Sequence, residues 1–197
     1  MNNLVLFASG SGSNFITIYN NTLNKKIKDS KIVLLVSNNP NSNSVSFAKG
    51  IGIDTFIINK RKYPLNNEYD RVLKEKLLNV EPDLIVLAGY MKLIPKSITS
   101  LFKNRIINIH PGKLPKFGGK GFYGLNVHRA VVENKEKYTA VTIHYVNEKY
   151  DKGMIIHEEK IKVLENDSPE SLSKRVLTYE HKVYSDVINK LLNERFN

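Results

Sequence analysis

Arg105 to Pro115 reads RIINIHPGKLP. Ile106, Ile107 and Ile109 are β-branched and mark the end of a buried strand. Asn108 and His110 interrupt that run two residues apart, so on a strand both side chains point to one face. Pro111 and Gly112 then stop the strand and open a loop. An amide and an imidazole thus stand side by side at a strand's C-terminal end, the edge of an open α/β sheet where ligands bind. The bland reading is a histidine satisfied by a loop carbonyl and an asparagine capping a turn. At this edge the pair also suits chemistry: an imidazole can act as general acid or base, and a carboxamide can hydrogen-bond a developing oxyanion.

Upstream, apolar runs alternate with helical spacing. Residues 3–8 (NLVLFA) are a strand that ends in SGSGSN, and a helix follows from Asn14. Lys31 to Ser37 is a second strand, closing on NNPNSNS, which can cap a helix beginning near Ser44. Ile53 to Ile58 is a third. Glu68 to Val80 carries Val72, Leu73, Leu77 and Leu78 at helical spacing. DLIVLAGY is a fourth strand, and MKLIPKSITSLF reads as a short helix after it. This alternation predicts a doubly wound, mostly parallel α/β sheet whose Val/Ile/Leu-rich strands are covered on both faces.

Downstream of His110 the style changes. KFGGKGFYG leads to a helix from about Asn126 to Glu133. Thr139 to Val146 and Met154 to Val163 are strand-like and joined by NEKYDKG, which predicts an antiparallel or mixed hairpin. Asn166-Asp167-Ser168-Pro169-Glu170 is a helix start, with cap, proline and first-turn acid. The long C-terminal helix runs to near Arg195. No repeat, low-complexity segment or linker interrupts the 197 residues, so 1–197 is expected to be one domain.

Hydrophobic residues are 41% and charged residues 25%, ordinary for a globular chain. There is no cysteine, which excludes disulfides and thiolate metal sites. No apolar stretch approaches a membrane span, and Leu4 to Ala8 is too short for a signal core. The expected setting is the cytoplasm, with no membrane partner. Net charge is +11 and the pI near 9.6. The lysines are scattered, with only Lys60-Arg61-Lys62 dense and no interleaved aromatics, so nucleic acid is not the expected partner. A basic surface suits anionic small substrates.

Three further constellations bear on chemistry. Gly10 and Gly12, between strand and helix, let backbone N–H groups reach an anion at the helix N-terminus. A dinucleotide fingerprint would need a third glycine and an acid ending the second strand. Phe15 to Thr17 and Ser37-Asn38-Asn39 stand there instead, and no Gly-Lys-Ser/Thr is present. A single phosphate held by Gly12, Ser13 and Asn14 fits, as does a tight turn with Ser13 or Asn14 as cap. Asp151 lies in a turn, where Asp is common. If the hairpin folds over the sheet edge, its carboxylate meets His110 and raises the imidazole's pKa. Glu180 falls on the apolar face formed by Leu172, Val176, Val183 and Val187, where a carboxylate is costly unless paired. Its partner is a lysine such as Lys182, or a group on a substrate. His128, His144, His157 and His181 lack metal-ligand spacing, and His144 and His157 face each other or solvent across the hairpin. No metal is expected.

Taken together, VLFASGSGSN, PDLIVLAGYMKLIP, INIHPGKLP, YDKG and RVLTYEH resemble, in order and over nearly the whole chain, the glycinamide ribonucleotide formyltransferases, folate-dependent formyl-transfer enzymes of purine biosynthesis. The resemblance implies that residues 1–100 form the half that holds phosphoribosyl glycinamide, and 101–197 the folate and catalytic half. It implies that 10-formyltetrahydrofolate is the co-substrate. Gly12, Ser13 and Asn14 would then cradle the phosphate, and Glu180 would contact the ribose hydroxyls. Met91, Lys92, Leu93 and Ile94 would line the pterin pocket, with Asn108 and with Asn147, Tyr150 and Asp151 on its other side. Asn108, His110 and Asp151 would be the catalytic trio, Asp151 keeping His110 charged. Such a chain would act as a monomer or homodimer. Asn66 stands where the family often has a basic folate contact, which then falls to Lys60, Arg61 or Lys62. Asn126 stands where a histidine is common, with His128 retained. Relatives of different activity share the formyl-folate core: a methionyl-tRNA formyltransferase is expected to carry an extra C-terminal domain, and a formyltetrahydrofolate deformylase an extra N-terminal one.

Overall fold

The computed structural model describes residues 1–194; the expected helix end near Arg195 lies outside them. Seven strands form one sheet in the order β3-β2-β1-β4-β5-β6-β7. The first five are β1 (Asn2–Phe7), β2 (Ser30–Ser37), β3 (Thr55–Ile57), β4 (Leu84–Leu87) and β5 (Ile106–His110), all parallel. The last two, β6 (Tyr138–Tyr145) and β7 (Ile155–Lys162), are antiparallel, as the hairpin reading predicts. Six helices cover the sheet: α1 (Ser13–Leu23), α2 (Asn43–Gly50), α3 (Asn66–Val80), α4 (Lys96–Leu101), α5 (Leu125–Glu133) and α6 (Pro169–Glu194).

Alternation along β1 shows why helices are needed on both sides. Leu4 and Leu6 enter a core with Phe15, Ile18, Val127, Val131, Val176 and Ile188, beneath α1, α5 and α6. Val5 and Phe7 point the other way, into a core with Leu73 and Leu77 of α3 and Ile98 of α4. A strand buried on both faces has no room for polar alternation. The strand order reverses where β1 leaves β2 on one side and meets β4 on the other, which opens a crevice at their C-terminal ends.

Several boundaries differ from expectation, among them the fourth strand, read over 83–90 and formed by Leu84–Leu87. The short helix read over 91–102 begins only at Lys96, with Pro95 at its N-cap position. Pro95 has no N–H to return to the Met91 carbonyl and disfavours a helical Ile94, so the segment before it is irregular, and the Met91 N–H goes to the Ser9 hydroxyl at 3.1 Å. The third strand is trimmed to three residues, Thr55–Ile57. Elsewhere local signals hold: Ser42 caps α2 by accepting from the Val45 N–H, and Ser168 accepts from the Ser171 N–H at the start of α6. Tyr184 of α6 is fully buried and its hydroxyl lies 2.9 Å from the Leu87 carbonyl and 3.3 Å from that of Ile107, which ties the long helix to the ends of β4 and β5.

Candidate active site

The crevice widens into one cavity of about 440 Å³ at the C-terminal edge of the parallel strands. Apart from the basic contact expected of Lys60, Arg61 or Lys62, every site residue expected from the sequence lines it, at two ends and a middle.

At one end is the N-terminus of α1. Gly12 has φ +78, and a Cβ there would sit 2.7 Å from the Ser44 hydroxyl, so the tight turn needs glycine. No side chain caps this helix, which leaves its first N–H groups, beside Ser13 and Asn14, facing the cavity. The Asn14 amide donates to the Glu180 carboxylate at 2.6 Å, while its Oδ1 is buried without a hydrogen-bond partner. Glu180 is 8% exposed, and its partner is this amide rather than a lysine. Burial pushes the Glu180 carboxyl up to about 7, against the pull of the Asn14 hydrogen bond.

In the middle stand the ends of β4 and β5. Met91, Lys92, Leu93 and Ile94 line the cavity after β4, and Asn147 and Tyr150 line it from the β6–β7 connection. Lys60 donates to Asn66 at 2.5 Å; neither residue lines the cavity, nor does Arg61 or Lys62.

At the far end Asn108, His110 and Asp151 come together. Asp151 sits at φ +52, a left-handed conformation that Asp tolerates, and this turns its carboxylate back over the sheet edge. One oxygen accepts from the Gly119 N–H at 2.9 Å and lies 3.7 Å from His110 Nδ1. The other lies 3.5 Å from Asn108 Nδ2 and 3.4 Å from His144 Nε2. Burial disfavours the Asp151 charge, but the two imidazoles and the Gly119 N–H outweigh it and hold the carboxyl below its ordinary range. His110 departs from expectation. Its burial lowers its pKa, and Asp151 and the Phe117 carbonyl recover only part of that loss. The carboxylate is too far, at 3.7 Å, to offset a ring that is 3% exposed. The other ring nitrogen, Nε2, meets the Phe117 carbonyl at 2.6 Å, so the loop-carbonyl contact of the bland reading exists alongside the cluster.

Two histidines were not marked for this site by the sequence. His144 is opposite Asn108 in the β5–β6 register, so both side chains emerge on one face, 3.2 Å apart. It is 2% exposed and faces neither His157 nor solvent; its register partner on β7 is Ile155. His128 of α5 is buried in the same cavity with Nδ1 unpartnered, and burial, aided by His110, lowers its pKa to about 4. Among the described residues no group of three or more His, Cys, Asp or Glu side chains could hold a metal ion, and no helix is long and apolar enough to cross a membrane.

The uncapped N-terminus of α1 at one end and an amide, imidazole and carboxylate at the other share this one cavity. The chain matches the model of the formyl transferase family over residues 2–188, and it belongs to that family. It is similar to the chloroplastic phosphoribosylglycinamide formyltransferase of Arabidopsis thaliana, 42% identical over 193 residues, which cover 98% of this chain and 66% of the plant protein. It therefore spans just under two-thirds of that relative's length. The phosphoribosylglycinamide formyltransferase of Bacillus subtilis is 36% identical over 192 residues, 98% of this chain and 95% of the bacterial one. In three dimensions it is similar to glycinamide ribonucleotide transformylase 1 of Geobacillus kaustophilus, with a TM-score of 0.89 and 31% identity over 98% of this chain and 99% of that one.

Proposed function

We propose that this protein transfers the formyl group of 10-formyltetrahydrofolate to the amine of phosphoribosyl glycinamide, in purine biosynthesis. The observation that carries the reading is the single cavity with the Asn14–Glu180 pair at one end and Asn108, His110 and Asp151 at the other. The phosphate fits the uncapped N-terminus of α1, where N–H groups and the helix dipole favour an anion. The orphaned Asn14 Oδ1 and the Glu180 carboxylate suit ribose hydroxyls. The pterin suits the stretch from Met91 to Ile94 and the 147–151 turn, and Lys92, Lys120 and Lys149 place positive charge along the same cavity.

In the step itself the amine nitrogen bonds to the formyl carbon, and the carbonyl pair moves to oxygen. Asn108 and His110 stabilise that oxyanion. His110 rests below its ordinary pKa and takes a proton as negative charge develops beside it. The Phe117 carbonyl holds the Nε2 proton in the free site, and the formyl oxygen takes that carbonyl's place. The proton released by the new ammonium reaches N10 of the folate through His110, Asp151 and water as the carbon–N10 bond breaks. No covalent enzyme intermediate is required, and holding both reactants in one cavity supplies much of the rate. Incubation with both substrates, followed by folate absorbance, tests the reading: an amine-dependent change is expected, and its absence refutes the proposal.

A further inference from the structure

Asp151 lies between two imidazoles, and the hydrogen bonds to the backbone fix which nitrogen of each ring bears a hydrogen. His144 Nδ1 meets the Tyr145 carbonyl at 2.8 Å. A carbonyl only accepts, so Nδ1 bears a hydrogen. The other ring nitrogen, Nε2, has its shortest contact with Asn108 Nδ2, at 3.2 Å. An amide nitrogen only donates, so Nε2 is the acceptor. We infer that His144 is a positioning residue, held in its Nδ1–H form by the Tyr145 carbonyl so that Nε2 accepts one Asn108 N–H and aims the other into the cavity. This rests on the formyl-transfer reading of the site.

The geometry of the amide limits what else it can do. Asn108 Nδ2, His144 Nε2 and Asp151 Oδ1 form a nearly equilateral triangle with sides of 3.2, 3.4 and 3.5 Å. The two N–H bonds of a carboxamide diverge by about 120°, so they cannot both enter a corner half that wide. One N–H serves the triangle and the other is left for the oxyanion. While Nε2 holds a lone pair, the direct hydrogen bond to the Asp151 carboxylate comes from the Gly119 N–H, and the His144 ring reaches the other carboxylate oxygen through the shared Asn108 N–H; His110, 3.7 Å from the carboxylate, is the ring that takes up a proton in the reaction. Burial at 2% exposure and the antiparallel register opposite Asn108 keep the ring from turning away.

Nitrogen-15 spectra of the wild-type protein, with the His144 ring assigned through bonds, read the tautomer without any catalysis. The expected pattern is a protonated Nδ1 and a lone pair on Nε2; a proton on Nε2 overturns the inference. Two variants separate positioning from packing. In His144→Gln the amide oxygen reaches the place of Nε2, whereas in His144→Asn it does not. Misplacing the Asn108 amide should lower kcat of His144→Asn about 10- to 100-fold, with both KM values within about threefold, while His144→Gln stays within about fivefold of wild type. Equal kcat in the two variants overturns the inference. In an Asn108→Ala background the His144→Asn change should have no further effect, because the group it positions is gone; an undiminished factor there overturns it too. If the wild-type protein itself transfers no formyl group, the functional reading fails, and the tautomer measurement still stands as the test of His144.

Discussion

The Asn14 amide donates to the Glu180 carboxylate across 166 residues of sequence, at 2.6 Å and largely buried. The carboxyl's folded pKa of about 7 lies above its ordinary 4.5. The folded state therefore holds this proton more tightly than the unfolded chain does. The stabilisation is complete below pH 4.5 and is lost as pH rises through 7, a change on the order of 3 kcal/mol. Glu180→Gln removes the titration. Urea unfolding at pH 5 and pH 8 should show the variant gaining on wild type at the higher pH. An identical difference at both pH values would sink this account.

The catalytic assignment makes its own demand. His110→Ala and Asp151→Asn should each lower kcat by about a hundredfold or more, the usual scale for a lost acid–base group. Steady-state kinetics on folded variants check this, and near-wild-type turnover in both removes the trio from the chemistry.

Gly153 follows the turn that carries Asp151. A Cβ there would lie 1.6 Å from the Tyr145 carbonyl oxygen, next to the Tyr145 N–H bond to Met154 that closes the β6–β7 hairpin. Gly153→Ala forces the two backbones apart and should cost at least about 2 kcal/mol, in the range of overpacked sites. Because Asp151 moves with the turn, kcat should fall even at temperatures where the variant is folded. Thermal unfolding and kinetics read the two effects separately.

The start of α6 offers a quieter test. Ser168 and Ser171 cap one another, each side-chain oxygen accepting from the other's backbone N–H. Ser168→Ala should lower stability by about 1 kcal/mol. It lies at the far end of the helix from the site's chemistry only in sequence terms, since Ser173 and Leu177 line the cavity. KM for phosphoribosyl glycinamide is therefore the kinetic constant to watch.

Much of this architecture is legible from short-range pattern. The apolar runs ending in Ser9–Asn14 and in Asn108–His110 carry both strand and ligand edge, and the cost of Glu180 on an apolar face signals that it needs a partner. What escapes the sequence depends on register and on chain reversal. His144 sits in a strand where buried and polar readings alternate, and only pairing with β5 sets it opposite Asn108. Met91, Leu93 and Ile94 have helical spacing, yet Pro95 interrupts the run and the helix starts at Lys96. The proximity of Asp151 was readable as a possibility, but not the distance that lets burial win over its charge at His110.

Tyr184 anchors α6 beneath the ends of β4 and β5, and Glu180 lies one turn before it. Both belong to the element that leaves the ribosome last among those described. A nascent chain can pair its parallel strands and bury Val5 and Phe7 against α3 and α4 before then, but it lacks the wall that holds Asn14 in place. Ligand capture thus reports on α6: chains truncated before it should be recognised as unfinished by chaperones and proteases, and substrate should protect only those that contain the helix.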